Sequence, residues 1–299
     1  MLYLTLTGRN DWASQLANSS TSSFFYPSVG LSGVISEMIQ MPSFIDYMKV
    51  RGSFSSVGMP YPRNLTSPTY EYNEATQSWK PKTHYPIGDL KPERTDSWEV
   101  GLDMKLFKDF NLGLSWYLAN TFNQTFDPQI SVSSGYTTIY LQTGYVRNTG
   151  LELSLGYGHT WNNNFRWDSN FTLSHNKNKI KELVRDYVHP ETGELINKDR
   201  LDVGGLGKAR FILKEGGTLG DLYTQSDLKR DDNGMVDIDP TGIVAIENNL
   251  PDIKLGSVFP KANLAWSNHF SWKGISLSAL FTARIGGIVY SLSLIHISE

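Results

Sequence analysis

The chain of 299 residues carries a formal net charge of −3, and its hydrophobic residues (39%) and charged residues (19%) are both fewer than in a typical soluble globular protein. It has no basic block, so no nucleic-acid partner is predicted, and the absence of cysteine excludes disulfides, thiolate metal sites and a cysteine nucleophile. No stretch approaches the run of about 18 apolar residues that indicates a transmembrane helix.

The predicted elements are strands in which every second residue is apolar. Such alternation is typical of a β-strand with one apolar and one polar face, and no segment shows a convincing helical period. About nine strands are predicted, longer than the roughly five or six residues common in soluble sheets. The first is Leu2–Gly8 and the last is Ile275–Ile285. The pattern begins, in chain order, at Leu2, Val29, Met48, Trp98, Phe110, Leu151, Phe165, Ala262 and Ile275.

The clearest pair of strands reads DSWEVGLDMKLFKDFNLGLSWYLANTF, residues 96–122. Alternate positions are apolar in 98–106 and again in 110–118, and most positions between them are polar. The two segments flank Lys108-Asp109. The sequence therefore predicts a long antiparallel hairpin with a tight turn.

Connections between the strands alternate between short and long. The short ones are Met38–Asp46, Lys108-Asp109, His159–Asn164 and Ser271–Gly274, and the long ones are Arg9–Phe24, Gly58–Lys91, Thr121–Arg147 and Asn176–Lys261. This rhythm is typical of an outer-membrane β-barrel with short periplasmic turns and long extracellular loops. The apolar faces are then predicted to contact lipid and the polar faces to line the lumen, although a soluble sandwich with an apolar core would show the same alternation.

Tryptophan residues lie near the ends of the predicted strands. Barrels place such residues in girdles at the two membrane interfaces. The residues are Trp98, Trp116, Trp161, Trp167, Trp266 and Trp272.

Six stretches, in order, resemble the SusC/RagA-type TonB-dependent outer-membrane receptors. The most specific is LKPERTDSWEVGLDMKLF (Leu90–Phe107), which is similar to the family pattern Leu-x-Pro-Glu-x-Thr-x-Ser-x-Glu-x-Gly. The resemblance covers about Leu2 to Tyr290. The other five are LTLTGRNDW (Leu4–Trp12), FFYPSVGLSGVISE (Phe24–Glu37), FIDYMKVRGSFSSVG (Phe44–Gly58), YVRNTGLELSLGY (Tyr145–Tyr157) and the late hairpin Leu250–Tyr290.

The resemblance implies an all-β fold: a partial transmembrane antiparallel β-barrel, an open curved sheet of about nine strands from a larger plugged barrel. It also implies import of large nutrients, oligosaccharides or peptides, across the outer membrane of a Gram-negative, Bacteroidetes-like cell. A SusD-like lipoprotein would be a partner, and TonB would act through an N-terminal part not in this chain. Residues 1–291 are predicted to be barrel and 292–299 a non-native tail. The connection Asn176–Lys261 is expected to be the least regular region.

Other candidate sites have weaker support in the sequence. The stretch DLKRDDNGMVDID (Asp227–Asp239) lacks the first and last ligands of a calcium loop, with Lys229 and Pro240 at those positions, so an Asn-Gly turn is predicted. The carboxylates Glu93, Asp96, Glu99 and Asp103 could serve a glycosidase, but Glu99 and Asp103 are better explained as lumen wall residues. The six histidines have no metal-ligand spacing: His84, His159, His175, His189, His269 and His296.

Three tyrosines in SSGYTTIYLQTGY are the candidate substrate contacts: Tyr136, Tyr140 and Tyr145. Their rings and hydroxyls suit sugars or peptides, although packing on the barrel rim would use the same residues. No nucleophile elbow, phosphate loop or metal motif occurs, so no enzyme activity and no cofactor are predicted. A secreted all-β carbohydrate-binding or scaffold protein is the alternative function.

Overall fold

The computed structural model describes residues 1–16, 19–59, 70–81, 84–85, 91–126, 138–139, 141–161, 164–188, 193, 195–238 and 240–291. These residues form strands and two short 3-10 helices, Ser14–Leu16 and Ile35–Glu37. Within the described ranges, no helix has the length and hydropathy needed to cross a membrane. The predicted tail at 292–299 lies outside the described residues.

Nine long strands form one open antiparallel sheet, here called the wall, and this confirms the predicted all-β fold. Its order is β1-β2-β3-β7-β8-β10-β11-β18-β19, with β1 and β19 at the edges. Among the described residues, β14 to β17 form a second sheet of four strands. Three further sheets have two strands each: β4–β5, β6–β9 and β12–β13. The strands are β1 (Leu2–Trp12), β2 (Ser23–Val34), β3 (Ile45–Met59), β4 (Tyr70–Asn73), β5 (Ser78–Pro81), β6 (His84–Tyr85), β7 (Glu93–Leu106), β8 (Phe110–Phe126), β9 (Thr138–Ile139), β10 (Leu141–Trp161), β11 (Phe165–Glu182), β12 (Val184–Val188), β13 (Leu195–Lys198), β14 (Arg200–Leu206), β15 (Ala209–Lys214), β16 (Asp221–Leu228), β17 (Ile246–Ser257), β18 (Ala262–Trp272) and β19 (Ile275–Ile285).

The register of the wall separates apolar from polar side chains across all nine strands. Because side chains alternate along a strand and cross-strand partners share a face, each row of partners lies on one face. One row is apolar except for a glycine: Leu2, Gly33, Val50, Leu102, Leu114, Leu153, Leu173, Leu264 and Ala283. The adjacent row is on the polar face: Tyr3, Ser32, Arg51, Gly101, Ser115, Glu152, Ser174, Asn263 and Arg284.

The short turns lie at different levels of the register. The β7–β8 hairpin closes at the pair Leu106–Phe110, which lies in register with Tyr157 of β10. The β10–β11 hairpin closes further along β10, at Trp161–Phe165, and the β18–β19 hairpin closes at that same level, at Trp272–Ile275. Turns at one depth therefore require inclined strands, as in transmembrane barrels.

Several strands are longer than predicted, and this corrects the predicted loop boundaries. β8 continues to Phe126 and β10 begins at Leu141, so the described part of the predicted loop Thr121–Arg147 is mostly strand. β10 has 21 residues and β11 has 18. The outer parts of these strands remain paired through their backbones. Because they carry polar residues on both faces, they lack the hydrophobic period that reveals a strand in the sequence.

Aromatic side chains surround the short turns at one end of the apolar face. Tyr157 lies 4.7 Å from Phe110 and 5.3 Å from Trp167, and Trp167 stacks on Phe270 at 5.9 Å, all between ring centroids. Trp161 continues the group, 5.6 Å from Phe165. This belt agrees with the predicted girdle at the turn end of the barrel.

Residues 183–257, between β11 and β18 and here called the insert, form β12 to β17. The connection Asn176–Lys261, predicted to be the least regular region, thus contains six strands among its described residues, together with the stretch between β16 and β17, where only two isolated bridges form. The strands of the insert are short, and apolar residues occur next to one another, as in Ile212-Leu213, so no period of two is visible in the sequence.

Candidate functional site

The centre of the polar face carries a cluster of charged residues around Arg51. Arg51 Nη2 donates hydrogen bonds to Glu99 Oε1 at 3.1 Å and to Ser115 Oγ at 2.6 Å, and Nη1 donates to Asp103 Oδ2 at 3.1 Å. One guanidinium thus joins three neighbouring strands, β3, β7 and β8. The predicted position of Glu99 and Asp103 on the polar face is confirmed, and both carboxylates are engaged with Arg51.

Glycines opposite large side chains keep this face flat. A side chain at Gly101 would place its Cβ only 2.5 Å from Arg51 Nε, and one at Gly150 would collide with the Tyr117 ring. Arg51 and Tyr117 can therefore lie across the neighbouring strand instead of projecting from the sheet. The space in front of the wall stays open as a result.

A cavity of about 610 Å³ occupies the polar face beside this cluster. Its lining includes both signs of charge, with Arg51, Asp103, Glu152 and Arg284 placed among serine and threonine hydroxyls. Ala265 and several leucines also line it, and apolar atoms contribute more of its surface than polar atoms do. Such a surface suits a molecule that combines hydrogen-bonding groups with apolar patches.

The insert packs on the same polar face, at the end of the wall away from the short turns. Val146 of β10 and Ile180 of β11 are polar-face positions by register, and both are buried in a core completed by the insert. Beyond Ser174, where β18 no longer pairs, β11 bonds to the insert: Ile180 N donates to the Gly217 carbonyl at 2.9 Å. The core consists of Val146, Ile180, Leu183, Val184, Leu201 and Leu213, with Tyr187, Ile196 and Leu219 packed against it.

Asp252, in β17, contacts the three other strands of the four-stranded sheet. Its carboxylate accepts two hydrogen bonds from Arg200, at 2.7 and 3.0 Å, and one from Gln225 at 3.0 Å. Lys214 forms an ion pair with it at 3.0 Å, and the Asp252 side chain is only 8% exposed. The hydrogen bonds from Arg200 are the main reason that the pKa of Asp252 lies well below its ordinary value, and Lys214 and Gln225 lower it further.

Of the three candidate tyrosines, only Tyr145 is described; Tyr136 and Tyr140 lie outside the described residues. Tyr145 lies within β10, and its ring stacks on Phe122 with centroids 4.9 Å apart. Its hydroxyl donates to Asn120 Oδ1 at 3.0 Å and accepts a hydrogen bond from Arg147 at 2.5 Å. Asn120 and Arg147 are cross-strand partners on the apolar side of the register. Tyr145 therefore packs on the side of the wall opposite to the cavity.

The turn in the predicted calcium-like stretch has the geometry of an Asn-Gly turn. Gly234 has a φ of +80°, its N–H donates to the Asp231 carbonyl, and Arg230 forms a bridge with Val236 across the turn. Asp231 Oδ1 accepts the N–H groups of Asn233 and Met235 at 2.9 and 2.8 Å. The predicted turn is confirmed. Across the part of the chain that the structure describes, no group of three or more His, Asp or Glu is placed to hold a metal ion.

Three of the histidines each have a different partner. His159 Nδ1 lies 2.8 Å from Asp109 Oδ2, His269 Nδ1 lies 2.8 Å from Ser278 Oγ, and His175 contacts the Lys261 carbonyl. They are not brought together. Asp96 lies on the opposite face from Glu99, where it pairs with Arg94 at 2.7 Å.

Sequence patterning did not identify the Arg51 cluster or the Asp252 cluster, because their partners are far apart in the chain. Arg51 and Glu99 are separated by 48 residues, and Arg200 and Asp252 by 52. The sequence shows Arg51 beside Gly52 in an alternating strand. This position does not indicate which residues Arg51 contacts.

Residues 1–220 match a family described as TonB dependent receptor-like, beta-barrel. TonB-dependent receptor P26 of Formosa agariphila is 26% identical to this chain, over 97% of the chain and 31% of its own length. TonB-dependent receptor P39 of the same organism is 27% identical, over 75% of the chain and 20% of its own length. The chain thus spans about a third or less of the length of these curated relatives.

Among solved structures, the RagAB peptide transporter superposes with a TM-score of 0.72 at 21% identity, covering 94% of this chain and 31% of that one. The RagAB peptide importer in its closed-closed state gives a TM-score of 0.70, also at 21% identity, over 96% of this chain and 32% of that one. At this level of identity the likeness establishes the fold of the wall.

Proposed function

The chain belongs to the family of TonB-dependent receptor-like β-barrels, and on that premise we propose that it forms part of the barrel wall of an outer-membrane importer of large nutrients. The single observation that supports this most is the register of the wall. It keeps an apolar face and a polar face separate across nine strands. The apolar face would contact lipid, and the polar face would line the path of the nutrient.

The exposure of the apolar face favours a membrane protein over a secreted carbohydrate-binding or scaffold protein. A soluble sandwich would cover that face with a second sheet. In the described residues, large apolar side chains on this face are exposed, among them Leu4, Val100 and Leu277. Lipid is the natural solvent for such a surface.

The polar face supports an oligosaccharide or a peptide as the transported nutrient. Both combine hydrogen-bonding groups with apolar surface, and the cavity beside Arg51 offers charged groups, hydroxyls and apolar atoms. The RagAB neighbours are named a peptide transporter and a peptide importer, which supports a peptide. A SusD-like lipoprotein is the proposed partner at the outer surface, and TonB would supply energy through a part of the receptor other than this wall.

The insert would form part of the entrance to this path. It packs over Val146 and Ile180, which are polar-face positions, so it projects toward the path rather than toward lipid. Arg51 and Tyr117 lie flat over glycines and would leave the path unobstructed. The wall would thus supply a smooth polar surface, and the insert would narrow its outer end.

Site-specific labelling of intact cells tests the placement in the membrane. The chain has no cysteine, so single cysteines introduced into the full-length receptor are unambiguous. Asp232→Cys, in the insert, should react with a membrane-impermeant maleimide on intact cells. Gln40→Cys, between β2 and β3, should react only after the cells are opened. The reverse labelling would contradict the proposed topology.

Growth tests the proposed transport. A strain that lacks the full-length gene should lose growth on one or a few members of a panel of oligosaccharides and peptides. Restoring the gene should restore growth on the same compounds. Unimpaired growth on the whole panel, together with unchanged uptake of labelled compounds, would contradict an importer of these nutrients.

A further inference from the structure

A basic edge borders the apolar face on β10 and β11. On β11, His175, Lys177 and Lys179 follow Leu173 at alternate positions, so they share its face. On β10, Arg147 is the cross-strand partner of Lys179. The basic edge therefore lies where the apolar surface ends on the side away from the short turns.

The charges of the basic edge are not neutralised locally. Lys177 and Lys179 have no ion-pair partner among the described residues. The guanidinium of Arg147 donates to neutral groups, from Nε to Asn120 and from Nη2 to Tyr145. The next carboxylate along β11, Glu182, lies beyond a bulge in the β10–β11 register.

The equivalent edge on β7 is different. Asp96 occupies the position after the last apolar residue there, Trp98, and it is held by Arg94 and Ser56. The β7 edge thus has its cation paired with a carboxylate, whereas the cations of the basic edge on β10 and β11 have none in the described part of the chain. This difference makes the basic edge the better candidate for an anionic ligand.

We propose that the basic edge binds the phosphate groups of anionic lipid head groups in the adjacent leaflet. This rests on the proposed function, because it requires the apolar face to lie in lipid. The apolar residues before the edge would contact acyl chains, and the cations just beyond them would then meet the phosphate layer. Lysine ammonium groups bind phosphate as point charges, and the Cα atoms of alternate residues on this strand are about 7 Å apart, so both ammonium groups can reach one phosphorylated head group.

Tyr145 borders this site beside Arg147. Its hydroxyl accepts a hydrogen bond from Arg147, and its ring stacks on Phe122. Arg147 uses Nε and Nη2 in hydrogen bonds to Asn120 and Tyr145, so Nη1 would be the nitrogen that contacts a phosphate. Aromatic rings with a polar group are common at membrane interfaces, where one side meets acyl chains and the other meets head groups.

The test compares two charge-matched variants of the full-length receptor in detergent. Lys177→Gln/Lys179→Gln removes two cations of the basic edge, and Lys198→Gln/Lys208→Gln removes two from the insert. The probes are short-chain phosphatidylglycerol, short-chain phosphatidylcholine and inorganic phosphate, with binding followed by native mass spectrometry. A basic residue near an anionic lipid surface contributes about fivefold in affinity, so the first variant should lose about 25-fold for phosphatidylglycerol.

The unaltered receptor and the insert variant should both prefer phosphatidylglycerol to phosphatidylcholine. Equal losses in the two variants, or no preference between the two lipids, would overturn the proposal. Inorganic phosphate that bound as tightly as the anionic lipid would also overturn it, because the ligand would then be free phosphate. Nutrient uptake and surface labelling of the same variants report on the proposed function independently of these results.

Discussion

The wall and the insert differ in where their apolar side chains lie. In the wall, Leu4 and Leu277 are 63% and 65% exposed, whereas in the insert Ile212 and Leu213 are 0% and 4% exposed. Both regions are built from antiparallel strands. The insert therefore contains much of its own hydrophobic stabilisation, and the wall depends on its surroundings.

This difference shows that sheet formation and burial are separate sources of stability. In the wall, hydrogen bonding and register organise the strands, and lipid would complete the burial. In the insert, a small core and the Asp252 ion cluster both organise the strands and provide the burial. Changes that act on burial, on solvent or on charge should then affect the two regions differently.

The largest loss of stability is expected when the wall is expressed without neighbouring strands to pair with its two edges. The edges β1 and β19 each have 11 residues, and in lipid each unpaired backbone group costs several kcal/mol. The 299-residue chain, expressed with a signal peptide, should show no heat-modifiable migration in outer-membrane fractions. A compact, protease-resistant species would show instead that the sheet can close on itself.

Removing core volume should unfold the insert while the wall persists. Leu213→Ala in the full-length receptor should destabilise the insert by about 2–5 kcal/mol, because it leaves a cavity in a buried core. Hydrogen exchange of β14 and β15 measures this. Leu195→Ala, at an exposed position of the insert, is the control. Equal loss of protection in both variants would mean that the core does not hold the insert.

A charge should be costly on one face of the wall and tolerated on the other. Leu153→Arg, on the apolar face, should destabilise the folded receptor in lipid vesicles by about 2–4 kcal/mol. Ser154→Arg is the matched control, one residue along β10 on the polar face. Urea titration in vesicles measures both, and similar costs would contradict the assignment of the apolar face to lipid.

Acid should lower the folding stability of the insert through Asp252, by less than the substitutions at Leu213 and Leu153 change stability. The pKa of Asp252 is lower in the folded state than in an unfolded chain, so its stabilisation is complete above about pH 4 and is lost as the pH falls toward the folded value. We expect about 1–2 kcal/mol, since Arg200 is partly exposed and solvent screens the pair.

Hydrogen exchange corrected for its intrinsic pH dependence measures this effect in the insert. Asp252→Asn should remove most of the pH dependence below pH 4, and Asp232→Asn, in the exposed turn, should leave it unchanged. A variant at Asp252 that kept the full dependence would assign it to other carboxylates.

The wall and its family could be predicted from the sequence, and the insert could not. A long strand with one lipid-facing side repeats its signal every second residue, so the faces of Leu102 and Asp103 are readable directly. The insert has short strands whose buried residues do not alternate with exposed ones, as in β15 and β16. The partners of Asp252 lie 27 to 52 residues away and have no spacing that marks them. The sequence predicts a loop at Tyr145 because its strand has no apolar period there.

The irregularities of register in the wall are concentrated in the outer end of β10. Three shifts occur between Gln142 and Val146, and in the rest of the wall only one other occurs in the described residues, at Ile45–Tyr47. A slip of one residue would move every later side chain to the wrong face. A bulge absorbs such a slip where it arises. Insertions and deletions before Gly144, on the outer side of these bulges, can therefore accumulate over evolutionary time. They would not disturb the membrane-facing pattern from Leu151 onward.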